Sequence, residues 1–110
     1  MAVQPTVFSQ STAVAATDTT YVAADLAKRM IDKCTIYNSD SVTRTVTINL
    51  VVSAGSAATA NIVMVKNLQA GETYTCPEVV GHYLNSGDFL SAKASTAAVV
   101  NLRVSGRQVS

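Results

Sequence analysis

Alternation with a period of two in residues 33–52, KCTIYNSDSVTRTVTINLVV, constrains this chain more than any other feature. Cys34 and Ile36, then Val46, Ile48, Leu50 and Val52, occupy every second position. Thr35 and Tyr37, then Thr45, Thr47 and Asn49, fall between them. Successive side chains of a strand point to opposite faces, so this pattern suits a sheet with one covered face. Between the halves, NSDSVTR carries Asn38, Ser39 and Asp40, whose side chains can cap their own turn. A hairpin is the expected arrangement.

The same alternation recurs downstream. IVMVKNL (62–68) reads as a short strand, and QAGET supplies a turn at Gly71, where positive φ is cheap. In YTCPEVVGHYLNSGD, Pro77 and Gly81 interrupt pairing and NSGD makes another turn. FLSAKAS sets Leu90, Ala92 and Ala94 against Ser91, Lys93 and Ser95. Near the end, Val100, Leu102 and Val104 alternate with Asn101, Arg103 and Ser105. SAGSAATAN (53–61) is small and polar, and is expected to be a flexible loop.

Upstream the pattern is weaker. Ala23, Leu26, Ala27, Met30 and Ile31 fit helical spacing, but the stretch equally fits a turn followed by a strand. In that strand Arg29, Ile31, Lys33 and Thr35 would share one face, and Met30, Asp32, Cys34 and Ile36 the other. Pro5 disfavours an interior strand, so the first ten residues are expected to form an arm that packs on a neighbouring subunit. The expected division is an N-terminal arm and first strand over 1–20, then one domain over 21–110. About seven to eight short strands with regular turns predict an all-β fold, an antiparallel β-sandwich of jelly-roll type.

Function classes narrow by exclusion. The 110 residues suit one domain that buries roughly 65% of its unfolded surface. Aromatics are 5% against 48% hydrophobic residues, and small β-branched side chains favour thin sheets over a deep ligand pocket. A net charge of +1 gives no basic excess for nucleic acid. The densest basic group, Lys28, Arg29 and Lys33, is interleaved with Asp25 and Asp32 and reads as a solvated face. No apolar run approaches ~18 residues, so no membrane span is expected, and the N-terminus lacks a secretory pattern. Synthesis and folding in a cytosol are expected.

Chemistry is equally sparse. Cys34 and Cys76 lack CxxC spacing and His82 is the only histidine, so no metal or cofactor is expected. Both cysteines read as buried, reduced thiols, with a bridge formed late outside the cell as the alternative. No G-x-S-x-G elbow occurs, and Glu72, Glu78 and Asp88 sit at turns, where carboxylates cap and solvate. No catalytic residue is expected. Tyr83 with His82 could form a small sugar-contacting patch.

The order of segments carries a resemblance. YVAAD, CTIYNSD, RTVTINL, LQAGETYTCPEVVGHYLNSGD and KASTAAVVNLRVSG follow one another over residues 21–106. Together they resemble a family of small virion proteins of tailed bacteriophages. The resemblance implies a β-sandwich building part and favours the extended reading of residues 27–37. It implies no catalytic residues. DLAKRMIDK is more charged than the family's usual turn and strand, and Cys76 replaces a usual apolar residue. The expected role is a capsid decoration (cement) protein in the virion, assembled in the host cytoplasm. Its partners would be the major capsid protein or other virion proteins, and copies of itself, with a trimer favoured. The alternatives are a neck, tail or fibre component and a glycan-binding adhesion module. Candidate contacts are Val3, Pro5, Val7 and Phe8 in the first ten residues, and Ser53, Gly55 and Ser56 in the loop.

Overall fold

The computed structural model describes residues 3–24 and 27–109. Asp25 and Leu26, which entered the charge and helix readings, lie outside the described residues. The strands are β1 (Val3–Ala13), β2 (Thr19–Ala23), β3 (Lys28–Asn38), β4 (Arg44–Val51), β5 (Ile62–Leu68), β6 (Thr73–Tyr74), β7 (Tyr83–Leu84), β8 (Phe89–Ala94) and β9 (Val100–Val109). One sheet runs β1-β9-β3-β6, with β7 also on β3; the other runs β2-β8-β4-β5. All pairings are antiparallel, and they nest: β1 with β9, β2 with β8, β3 with β6 and β7, β4 with β5. That is one long hairpin, rolled so that β9 also meets β3 and β8 also meets β4. The result is an antiparallel β-sandwich with jelly-roll strand order, as the turn spacing predicts. It has nine strands among the described residues because the segment 73–84 pairs in two short pieces.

The hairpin expected over 33–52 does not form. β3 and β4 lie in different sheets, and residues 39–43 arch from one to the other. The alternation is nonetheless real. Cys34 and Ile36 face the core from one sheet, Val46 and Ile48 from the other, and all four are fully buried. Burying such side chains stabilises the fold by roughly 1.5–3 kcal/mol each. Val52 departs from the pattern: Val51 is buried and Val52 is exposed, because β4 ends there.

Residues 28–38 are strand, not helix. The two faces proposed for that strand are corrected by a bulge. Ile31 pairs with Gly106 and Lys33 with Ser105, so Asp32 is an extra residue with no partner on β9. A bulge re-aims side chains. Ile31 and Cys34, three apart, are therefore both buried.

The arch is tied down by Asn38, which is fully buried. Its Nδ2 donates to the carbonyls of Val42 (2.9 Å), Leu68 (3.0 Å) and Gln69 (3.2 Å). Its Oδ1 accepts from the Asp40 amide at 3.0 Å, so the turn does cap itself as its composition suggests. Asp40 in turn accepts from the Ser41 amide (2.7 Å) and pairs with Arg44 (2.6 Å). The Arg44 guanidinium and the Ser41 amide hold the Asp40 carboxyl below its ordinary value. At the next turn Gly71 adopts φ 72°, the left-handed conformation expected there.

Candidate protein interface

The segment expected as an arm is the edge strand β1. Its register on β9 pairs Val3 with Val109, Pro5 with Arg107 and Val7 with Ser105. Val3 and Val7 stand 58% and 40% exposed, and Pro5 is exposed between them. The cross-strand register continues the Pro5 position through Arg107 to Met30 on β3 and Tyr83 on β7. Pro5, Arg107, Met30 and Tyr83 thus form one row across the outer face of this sheet. Arg107 is fixed within the row: Nε lies 3.0 Å from Asp32 Oδ2 and Nη2 3.1 Å from Asp32 Oδ1. Nη2 also contacts Met30 Sδ at 2.9 Å. The bulge that leaves Asp32 unpartnered on β9 is what brings its carboxylate to Arg107. That carboxylate raises Arg107 above its ordinary guanidinium value. Both partners are part-exposed, so the pair contributes orientation more than stability. A shallow depression of about 320 Å³ lies beside it, lined by Pro5, Thr6, Val7, Asp32, Ser105 and Gly106.

The open edge of β1 is a poor template for strand addition. Pro5 lacks an N–H, and the β1–β9 register shifts between Val7 and Ser9 and again between Ser9 and Thr12. Proline and bulges are how native edges avoid unwanted pairing. The outer face of this sheet, not its open edge, presents the exposed side chains of Val3, Pro5, Val7 and Tyr83.

The other candidates lie elsewhere. Phe8 turns inward, half-buried against the core, with the Arg29 guanidinium 4.8 Å from its ring centroid. Arg29 also donates to Gln108 Oε1 at 3.1 Å. It therefore does not share a solvated face with Lys28 and Lys33, which are exposed. Ser53, Gly55 and Ser56 are exposed, but their loop folds over the outer face of the second sheet. Asn49, 2% exposed, donates to Ala58 O (2.9 Å) and Asn61 Oδ1 (2.7 Å). Asn61 donates on to Ser56 O at 2.9 Å, and Ser53 donates to Asp88 Oδ1 at 3.0 Å. The loop expected to be flexible is pinned at both ends and closes with a 3-10 turn, Thr59–Asn61. Val3, Pro5 and Val7 on the one hand, and Ser53, Gly55 and Ser56 on the other, thus occupy the outer faces of different sheets, while Phe8 belongs to neither.

The turn carboxylates are engaged locally. Glu72 accepts from the Gln69 amide at 2.8 Å, Glu78 from the Tyr74 hydroxyl at 2.9 Å, and Asp88 from the Asn85 amide at 3.0 Å. The Glu78 carboxylate raises the Tyr74 phenol above its ordinary value. No cluster of three or more His, Cys, Asp or Glu able to hold a metal occurs among the described residues. Tyr83 and His82 are both exposed, Tyr83 at 67%. Tyr37, 41% exposed, is seven positions along β3 from the residue opposite Tyr83, roughly 20 Å away at strand rise, so the two tyrosines do not make one platform. Cys34 and Cys76 are buried and unbridged. The Cys76 side chain beside it, together with burial, pushes the Cys34 thiol far above its ordinary value.

Asp32, Met30 and Arg107 were not singled out as contact residues by sequence reasoning. The alternation Arg103, Ser105, carried one step further, would have placed Arg107 on the same face. Nothing in the sequence marks the bulge at Asp32. The chain is thus a two-sheet, all-β sandwich with one decorated outer face. No family model matches it, and neither curated proteins nor solved structures yield a match.

Proposed function

We propose that this protein is a non-enzymatic structural part of a bacteriophage virion, a decoration or cement protein that bridges capsid subunits. The ordered resemblance over residues 21–106 suggests the class. The observation that carries the mechanism is the row Pro5–Arg107–Met30–Tyr83, with exposed Val3 and Val7 beside it. Exposed apolar and aromatic residues around an oriented arginine are the composition of an interface hot spot. The body behind the row is a sandwich 46 × 26 × 20 Å, a shape that acts by area when many copies repeat on a lattice. Jelly rolls serve both shell and lectin domains, so the fold supports the class without selecting the role.

The test is occupancy and shell strength. Val7→Asp and Tyr83→Asp place charges on the outward row without touching the core. Each is expected to weaken binding to otherwise complete capsids by about tenfold or more while melting behaviour stays near wild type. If capsids lacking the protein withstand heat and low salt as well as complete ones, the cement role is wrong. Light scattering on the free protein tests the trimer, which a single-copy mass at all concentrations would remove.

The exposure of Tyr83 favours one competing reading, a glycan-binding adhesion module of a tail or fibre. Tyr83→Ala is then expected to abolish weak, saturable sugar binding. A glycan array without signal at high protein concentration eliminates that reading.

A further inference from the structure

Cys34 and Cys76 are distant in sequence but meet in the core. β6 pairs Ile36 with Tyr74 and Tyr37 with Thr73. β6 ends at Tyr74, and Cys76 follows two residues beyond the Ile36–Tyr74 pair, on the side toward Cys34. Both side chains are fully buried in the one core cluster, the Cys76 thiol faces the Tyr74 carbonyl at 3.8 Å, and the Cys76 side chain lies close enough to the Cys34 thiol to raise it. Cys76 sits at φ 49°, in the left-handed region that side chains other than glycine rarely occupy. Its carbonyl accepts from the amides of Val79 (3.0 Å) and Val80 (3.2 Å), so the chain turns there. A strained conformation persists only where its surroundings over-determine it. Here it holds a thiol against Cys34 at the point where the segment leaves β3.

We propose that Cys34 and Cys76 form an intramolecular, cross-strand disulfide in an oxidising environment, covalently fastening the segment 73–84 to β3. The adjoining residues Ile36 and Tyr74 are directly opposed; such antiparallel pairs stand about 4.5–5.5 Å apart at Cα, inside the range of roughly 4.4–6.8 Å that a disulfide spans. The oxidant is a small-molecule disulfide such as oxidised glutathione. One cysteine thiolate attacks a glutathione sulfur, breaking its S–S bond and releasing one glutathione thiolate. The other cysteine thiolate then attacks the protein sulfur of the mixed disulfide and releases the second. Two electrons pass from the cysteine pair to the oxidant, and the two cysteine protons end on the two glutathione thiols. Access needs an opening of the segment, and β6 and β7, at two residues each, are its weakest attachments to the sheet. In a reducing cytosol the pair stays a dithiol; transfer to oxidising surroundings closes it.

The experiment uses the full chain. Reduced protein is incubated with oxidised glutathione, both folded and through a cycle of unfolding and refolding, and followed by intact mass and thermal melting. The expected product is a single chain about 2 Da lighter, with no thiol left to alkylate in denaturant. Because the bond closes a long loop, its melting temperature is expected to rise by about 10 °C or more. Dithiothreitol is expected to reverse both changes, and Cys76→Ser to show neither. The wild-type comparison stands even if that variant folds poorly. Stable glutathione adducts, disulfide-linked dimers, two unreacted thiols after refolding, or a bond that lowers the melting temperature would each overturn the proposal.

Discussion

Replacing Gly106 by valine is expected to cost about 3–5 kcal/mol, enough to unfold much of the population of a domain this size. The position lies on β9 opposite Ile31, immediately before the Asp32 bulge. A Cβ placed there would run into the Met30 carbonyl oxygen. It would also come within 2.9 Å of Phe8 Cε2 and 3.0 Å of the Asp32 amide nitrogen. Two of those neighbours are backbone in the pairing between β9 and β3, so neither can swing aside. Gly71→Ala is the control, because a Cβ there meets nothing within 4 Å. That substitution pays only for φ 72° and should cost roughly 1 kcal/mol. The check is urea or thermal denaturation of both variants. A Gly106→Val protein as stable as Gly71→Ala would mean that the bulge does not press β3 onto β9 as described.

Asn38→Ala is expected to destabilise the protein by about 3 kcal/mol, out of proportion to the few atoms removed. The amide Nδ2 serves the carbonyls of Val42, Leu68 and Gln69, and Oδ1 serves the Asp40 amide. Truncation leaves those groups short of partners around a buried hole. Asn38→Asp separates the two contributions. It keeps the shape but turns an acceptor toward the carbonyls, so its folded-state pKa should rise above the unfolded value. Stability from the protonated form is then present below the unfolded pKa, near the ordinary value of about 4, and lost as pH rises through the folded pKa. Denaturation midpoints measured against pH should show Asn38→Asp gaining on wild type as the solution is acidified. A gap between the two that does not change with pH would mean that the amide group does not donate into the core.

The virion proposal and the disulfide proposal draw on different parts of the molecule. The first uses the outer face of the β1-β9-β3 sheet; the second uses the inner face of β3 and the turn at Cys76. Failure of one leaves the other standing.

Much of the strand layout was legible in the residues. The strand over 62–68, the turn at Gly71 and the inward set Val100, Leu102 and Val104 all lie where the pattern puts them. These signals are local: alternation marks a dry face, and glycine marks a turn. Partnership is not local. Residues 33–37 and 44–51 alternate identically whether they are neighbours in one sheet or face each other across a core, so the hairpin reading was as consistent as the arch. Only the long-range pairing of β3 with β9 and β4 with β8 decided between them. Ile31 and Cys34 share the core because one unpaired residue shifts the register, a change that composition does not announce. The row Pro5–Arg107–Met30–Tyr83 and the meeting of Cys34 with Cys76 have the same origin. Each joins residues from distant parts of the chain, and side chains so far apart in sequence become neighbours only when the rolled sheet brings their segments together.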